Sequence, residues 1–170
     1  MRERQRARER PFLELTMAAQ RAERDRSYTG QVVVRGKERP FSLSRQAHVR
    51  YYLYPSRYSG EPVETALDNW LVFVVEVHKH SGKHRHQGGL VIYIIEGEGH
   101  TIMDGEKLEW ESGDLMLLPV KPGGVEHQHF NKYPDKPVRW IAFINASVFE
   151  WGASEMVQLE KHPEWREAPL

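Results

Sequence analysis

Cysteine is absent from all 170 residues. That excludes a disulfide framework, thiolate metal ligands and a cysteine nucleophile, so any metal or catalytic chemistry must use other side chains. An excess of either charge is absent too: Lys plus Arg and Asp plus Glu each number 24. The summed charge therefore gives no general pull toward polyanions, and the expected partner is a small molecule, with no nucleic acid and no membrane. Long apolar runs are also missing. Stretches such as Leu71 to Val75 and Leu90 to Ile95 are far too short to span a bilayer, and the first residues lack the apolar region of a secretory signal, so a soluble, cytoplasmic chain is expected.

Histidine, by contrast, is concentrated. Nine are present, and seven of them lie between His78 and His129. The length suits one domain with its own core, within which three segments are expected: a helical extension over 1–30, a β-barrel over 31–150, and a tail over 151–170 packed on the barrel. The first 27 residues are rich in Arg and Glu, with Phe12, Leu13, Leu15 and Met17 following Pro11. They predict a helix or two, with Met1 to Glu9 frayed. Arg2, Arg4, Arg6, Arg8 and Arg10 read as a solvated helix face or tail rather than a polyanion-binding arm.

From Gln31 onward, short apolar runs alternate with turn residues, the texture of an all-β sandwich or barrel. Strands are expected over Gln31 to Arg35, His48 to Tyr54, Trp70 to His78, Leu90 to Glu96, His100 to Met103, Glu106 to Trp110, Leu115 to Leu118, Val125 to Asn131 and Val138 to Asn145. Turns are expected at Gly97 to Gly99, at Ser112-Gly113 and at Pro122-Gly123-Gly124, with a two-residue hairpin at Asp104-Gly105. The tail, with Pro163 and Pro169, reads as irregular and packed by Trp151 and Trp165.

Three His-x-His pairs stand out: His78 with His80, His84 with His86, and His127 with His129. On a strand, residues i and i+2 share a face, so each pair delivers two imidazoles to one point. If imidazoles from two strands converge, they suit Fe, Zn, Cu, Ni or Mn rather than Ca or Mg.

The stretch HRHQGGLVIYIIEGEG from His84 to Gly99 resembles the first motif of the cupin superfamily. Gly113, Pro119, Pro122, Gly124, His127 and Asn131 match its second motif, with the Asp104-Gly105 hairpin between the two. The resemblance implies a cupin double-stranded β-helix, a jelly-roll barrel, behind an N-terminal helical extension. It selects His84, His86 and His127 as metal ligands. His129, on the face of His127 by period two, orients a bound group, serves as an acid or base, or is a satisfied core histidine. His78 and His80 lie upstream of the motif and read as strand-end polar residues ahead of a pocket-rim role. The glutamate that the family pattern usually supplies as a fourth ligand falls at Leu90 or Val91 and is missing.

Without that carboxylate the motifs are similar to those of three-histidine iron cupins, in particular gentisate and salicylate ring-cleaving dioxygenases. The similarity implies an Fe(II)-dependent dioxygenase acting with O2 on a small hydroxylated aromatic or enolisable acid, with Zn, Mn or Ni as the alternative metals, and a homodimer. Two further functions stay open: a non-oxidative lyase, decarboxylase or isomerase, and a cupin that binds metal or a small molecule without turnover. Arg50, Arg57 and Arg139 are candidate anion-binding residues among which alternation does not choose. Trp70, Tyr93, Trp140 and Phe143 line a pocket or, as is more usual for strand aromatics, fill core. Glu96 and Asp114 read as hairpin and capping residues.

Overall fold

A computed structural model describes residues 2–61 and 63–167; the side chains of residues 2–10, and with them the alternating arginines, lie outside the described part. The chain opens with α1 (Arg2–Thr29). Its composition explains the helix, since Arg, Glu, Ala and Leu are strong helix formers. The backbone is helical from Arg2 rather than frayed to Glu9, and it continues through Pro11, which cannot donate the hydrogen bond its position would make. Phe12, Leu13 and Leu15 are all exposed on this helix. Near its end, the Arg26 guanidinium donates to the Thr65 carbonyl at 3.0 Å.

The remaining elements follow in chain order as β1 (Ser42–Leu43), β2 (His48–Leu53), α2 (Ser56–Ser59), β3 (Trp70–Val77), β4 (Lys83–His86), β5 (Leu90–Glu96), β6 (Glu98–Met103), β7 (Glu106–Glu111), β8 (Leu115–Leu118), β9 (Val125–Asn131), β10 (Val138–Asn145), α3 (Ala146–Trp151) and β11 (Val157–Glu160). The strands form two antiparallel sheets, ordered β1-β2-β3-β10-β5-β8 and β11-β4-β9-β6-β7. This two-sheet, mostly-strand architecture with a helical N-terminal segment is the one the jelly-roll expectation calls for.

Alternation drives the packing. In β5, Leu90, Ile92 and Ile94 are buried while Val91, Tyr93 and Ile95 are exposed; in β10, Val138, Trp140, Ala142 and Ile144 are buried between the sheets. Ile92 and Ile94 are fully buried, each worth about 1.5–3 kcal/mol relative to exposure. Asp104 and Gly105 both take positive φ, 50° and 87°, the conformation a two-residue hairpin needs to match strand twist.

Four strand expectations coincide with the structure, at β5, β8, β9 and β10. Three further expectations are corrected. Gln31 to Arg35 is not a strand: it makes an isolated bridge from Gln31 to Thr65, and Val32 and Val33 are exposed. A β-branched run without a neighbouring strand has no ladder to join. The turn at Gly97 to Gly99 contracts to Gly97, because Glu98 and Gly99 already pair with Glu111 and Trp110 in β7. The tail is not wholly irregular, since β11 adds an edge strand to β4; Trp151 is 86% exposed, whereas Trp165 lines the interior cavity.

Candidate metal centre

The β4–β9 pair builds the centre. Antiparallel register sets His84 opposite His127 and His86 opposite Val125, and period-two alternation turns His84, His86 and His127 to the interior, where all three are buried. The approach is tight: Gly124 has φ +79°, and a Cβ there would come 2.7 Å from the His86 carbonyl oxygen. Glycine at that position therefore lets the turn into β9 close against β4. The ring centroids of His127 lie 4.2 Å from His84 and 4.8 Å from His86. One nitrogen from each of the three residues lies within 4.8 Å of the others.

Backbone carbonyls fix which nitrogen each imidazole offers. Nδ1 of His84 faces the Gly82 carbonyl at 3.3 Å, Nδ1 of His86 faces that of Gln87 at 2.6 Å, and Nδ1 of His127 faces that of Val125 at 3.2 Å. A carbonyl oxygen only accepts, so Nδ1 carries the proton in each ring and the Nε2 lone pair is left free. This is the arrangement that orients imidazole ligands in metal sites.

Burial also keeps the rings neutral. Desolvation, then the neighbouring His86, pushes His84 down to about 4, against the opposing pull of the Gly82 carbonyl. His86 is lowered by burial, and His127 is held well below the ordinary histidine range by burial and then by His84, His129 and His86. Three neutral nitrogen donors with oriented lone pairs fit a divalent transition metal.

The centre opens on a cavity of about 610 Å³ whose wall is mainly apolar, with Phe73, Ile92, Trp140, Ile144 and Phe149 around the histidines. Leu90, where the family pattern has its glutamate, is buried and lines the cavity, while Val91 points out. Hydrocarbon thus stands where a carboxylate ligand would otherwise reach.

His129 shares this interior. It is buried, lines the same cavity, and is lowered to about 3 by burial and then by His84 and His86. Its wiring differs from the other three: Nδ1 lies 2.7 Å from the Thr101 hydroxyl rather than against a carbonyl.

The remaining candidates sort by strand face. His78 pairs with Glu76 at 3.1 Å, and His80 contacts the Ser81 carbonyl and Gln128; neither lines the cavity. Arg50 lies over the Phe41 ring, Arg57 pairs with Glu150, and Arg139 pairs with Glu76 and Glu96. Among the described residues, the arginine that lines the cavity is Arg45, in the loop before β2. Sequence reasoning did not single it out, because a loop residue carries no periodic signal. Of the four aromatic candidates only Trp140 lines the cavity. Tyr51 and Phe73, which also line it, were foreseeable from alternation with Val49 and Val75 once the inward face was known. Asp114 caps a turn by accepting from the Glu111 N–H at 2.9 Å.

Comparisons with known proteins agree with this architecture. The family model described as a cupin domain matches residues 71–144. A gentisate 1,2-dioxygenase of Streptomyces sp is 33% identical over 82 residues, covering 43% of this chain and 22% of the dioxygenase. The match thus spans about a fifth of that curated relative. An uncharacterized protein of Methanocaldococcus jannaschii is 30% identical over 95 residues, covering 54% of this chain and 70% of the relative. Among solved structures, the polyketide cyclase RemF from Streptomyces resistomycificus superposes with a TM-score of 0.55 at 14% identity, covering 79% of this chain and 89% of that one. At that identity the likeness concerns the fold.

Proposed function

This chain belongs to the cupin family, and on that footing we propose that it is an Fe(II)-dependent dioxygenase of a small hydroxylated aromatic acid or a similar enolisable acid, with His84, His86 and His127 as the metal ligands. The observation that carries the reading is the joint placement, among the described residues, of three Nε2 lone pairs and no carboxylate at the wall of an aromatic-lined cavity. The local identity to a gentisate dioxygenase supports it.

A bound iron(II) would supply Lewis acidity toward two substrate oxygens and the electrons by which O2 is activated. The protein's own work is positional. Carbonyls of Gly82, Gln87 and Val125 hold the three imidazoles in register; Phe73, Ile92 and Trp140 offer apolar walls to a planar ring and exclude water. The test is oxygen uptake by iron-loaded protein with gentisates, salicylates, catechols and β-diketones. Uptake with one class supports the oxygenase. Absence of uptake with all of them, or turnover that persists without O2, sinks it.

We further propose that the protein is a homodimer. On the outer face of the six-stranded sheet, exposed Val91 pairs with exposed Leu117 and exposed Tyr93 with exposed Leu115, beside exposed Ile95. β8 is also the edge of that sheet, so a second copy would cover both an apolar patch and a free strand edge.

A further inference from the structure

We propose that His129 is held as the Nε2–H tautomer by a hydrogen-bond chain running from Trp110 through Thr101, so that it presents an N–H to the cavity as a donor to a ligand oxygen. Trp110 and Thr101 are then positioning residues of the site. The ligand's oxygen chemistry rests on the reading above; the tautomer does not.

The chain has a fixed direction at its start. The indole Nε1–H of Trp110 can only donate, and it meets the Thr101 hydroxyl oxygen at 2.9 Å. That hydroxyl is fully buried, and among the described residues its other hydrogen-bond partner is Nδ1 of His129, 2.7 Å away. A threonine hydroxyl has one hydrogen to give. If Nδ1 of His129 carried a proton, that proton would point at the Thr101 oxygen and the threonine's own hydrogen would have no acceptor, a loss of about 1–3 kcal/mol for a buried donor. If Nδ1 is bare, Trp110 donates to Thr101 and Thr101 donates to His129, leaving no group unpaired. The ring proton therefore sits on Nε2.

The four imidazoles that line the cavity come from two His-x-His pairs on the paired strands β4 and β9, yet they are wired in opposite senses. His84, His86 and His127 place Nδ1–H on backbone carbonyls and offer lone pairs at Nε2. His129 places its lone pair on a hydroxyl and offers N–H at Nε2, an atom with no hydrogen-bond partner among the described residues. Trp140 packs against His129 with ring centroids 4.9 Å apart and lines the same cavity, although its own Nε1 atom is buried. An unpaired N–H at the cavity wall calls for an acceptor, such as a carboxylate, phenolate or enolate oxygen. In this tautomer His129 has no lone pair facing the cavity, so it stabilises charge on an oxygen and does not serve as a general base. That narrows the roles the sequence left open.

The experiment is nitrogen-15 NMR of the ring nitrogens in the metal-free, full-length protein labelled at histidine. His129 is assigned by the loss of its signals in His129→Gln. Wild type is expected to show a protonated Nε2 and an acceptor Nδ1 at His129, with the opposite pattern at His84, His86 and His127. Thr101→Val should lose the pure Nε2–H signature, and Thr101→Ser should restore it. A protonated Nδ1 at His129 in wild type overturns the proposal, as does an unchanged signature in Thr101→Val. Should Thr101→Val fail to fold, the wild-type spectrum still decides. No metal, O2 or turnover enters the readout, so its failure is separable from failure of the dioxygenase reading.

Discussion

Gly99 makes room for Trp110: a Cβ at Gly99 would lie 2.4 Å from the indole ring and 2.2 Å from the Phe130 carbonyl oxygen. The last glycine of the first motif is thus a packing requirement, and through Trp110 it bears on Thr101 and His129. Gly99→Ala should destabilise the fold by about 1–3 kcal/mol, the usual cost of overpacking, as measured by urea unfolding. It should also disturb the His129 ring-nitrogen signals. Unchanged stability would contradict the stated contact.

Asn131, the asparagine of the second motif, ties strand ends and does not face the cavity. Its side-chain amide donates to the carbonyls of His78 at 2.9 Å and Lys136 at 2.6 Å, and its oxygen accepts from the Tyr133 N–H at 3.0 Å. Asn131→Ala should therefore cost about 1–3 kcal/mol, the price of stranding buried backbone groups, without changing metal stoichiometry. Loss of metal in a variant that remains folded would assign Asn131 to the centre instead.

The metal-free protein should lose stability on mild acidification. In the folded state burial lowers His84 to about 4 and His129 to about 3, and it also lowers His86 and His127. In the unfolded chain the same imidazoles titrate near 6.5. Above that range both states are neutral and stability is at its full value. As pH falls from about 6.5 toward about 4, the unfolded state binds protons that the folded state refuses, so unfolding is favoured. The urea midpoint of the apo protein should therefore drop between pH 7 and pH 5. A flat midpoint over that window would mean that these rings are not held neutral.

Leu117→Lys places a charge in the middle of the apolar outer face, where Leu117 is 63% exposed. Most of that side chain already faces solvent in the single chain. Light scattering should show the wild type at twice the chain mass and the variant shifted toward a single chain, with unchanged circular dichroism. A monomeric wild type would contradict the proposed homodimer.

Legibility in the sequence followed physical cause. Leu90 to Glu96 and Val138 to Asn145 were readable because each is a short apolar run set off by turn residues. β3 was readable as a strand but not by face, because its run WLVFVVEV is apolar at successive positions and alternation does not mark the inward side. β11 is a four-residue edge strand defined by its pairing with β4, and nothing in Val157 to Glu160 announces that partner. At the centre, the convergence of His84, His86 and His127 was legible from the two-residue spacing and the motif context. Their tautomers were not, because the groups that set them are backbone carbonyls, which every residue has. Thr101 and Trp110 escaped notice for a related reason: they meet His129 only through the pairing of β6 with β7 and β9.

The most direct test of the account is elemental analysis of untagged protein purified without oxygen, beside His127→Ala prepared in the same way. Close to one iron per chain is expected in the wild type and none in the variant, with circular dichroism showing that the variant is folded. A wild type without metal, or a His127→Ala protein that keeps its iron, would contradict the assignment of His84, His86 and His127 as the ligands.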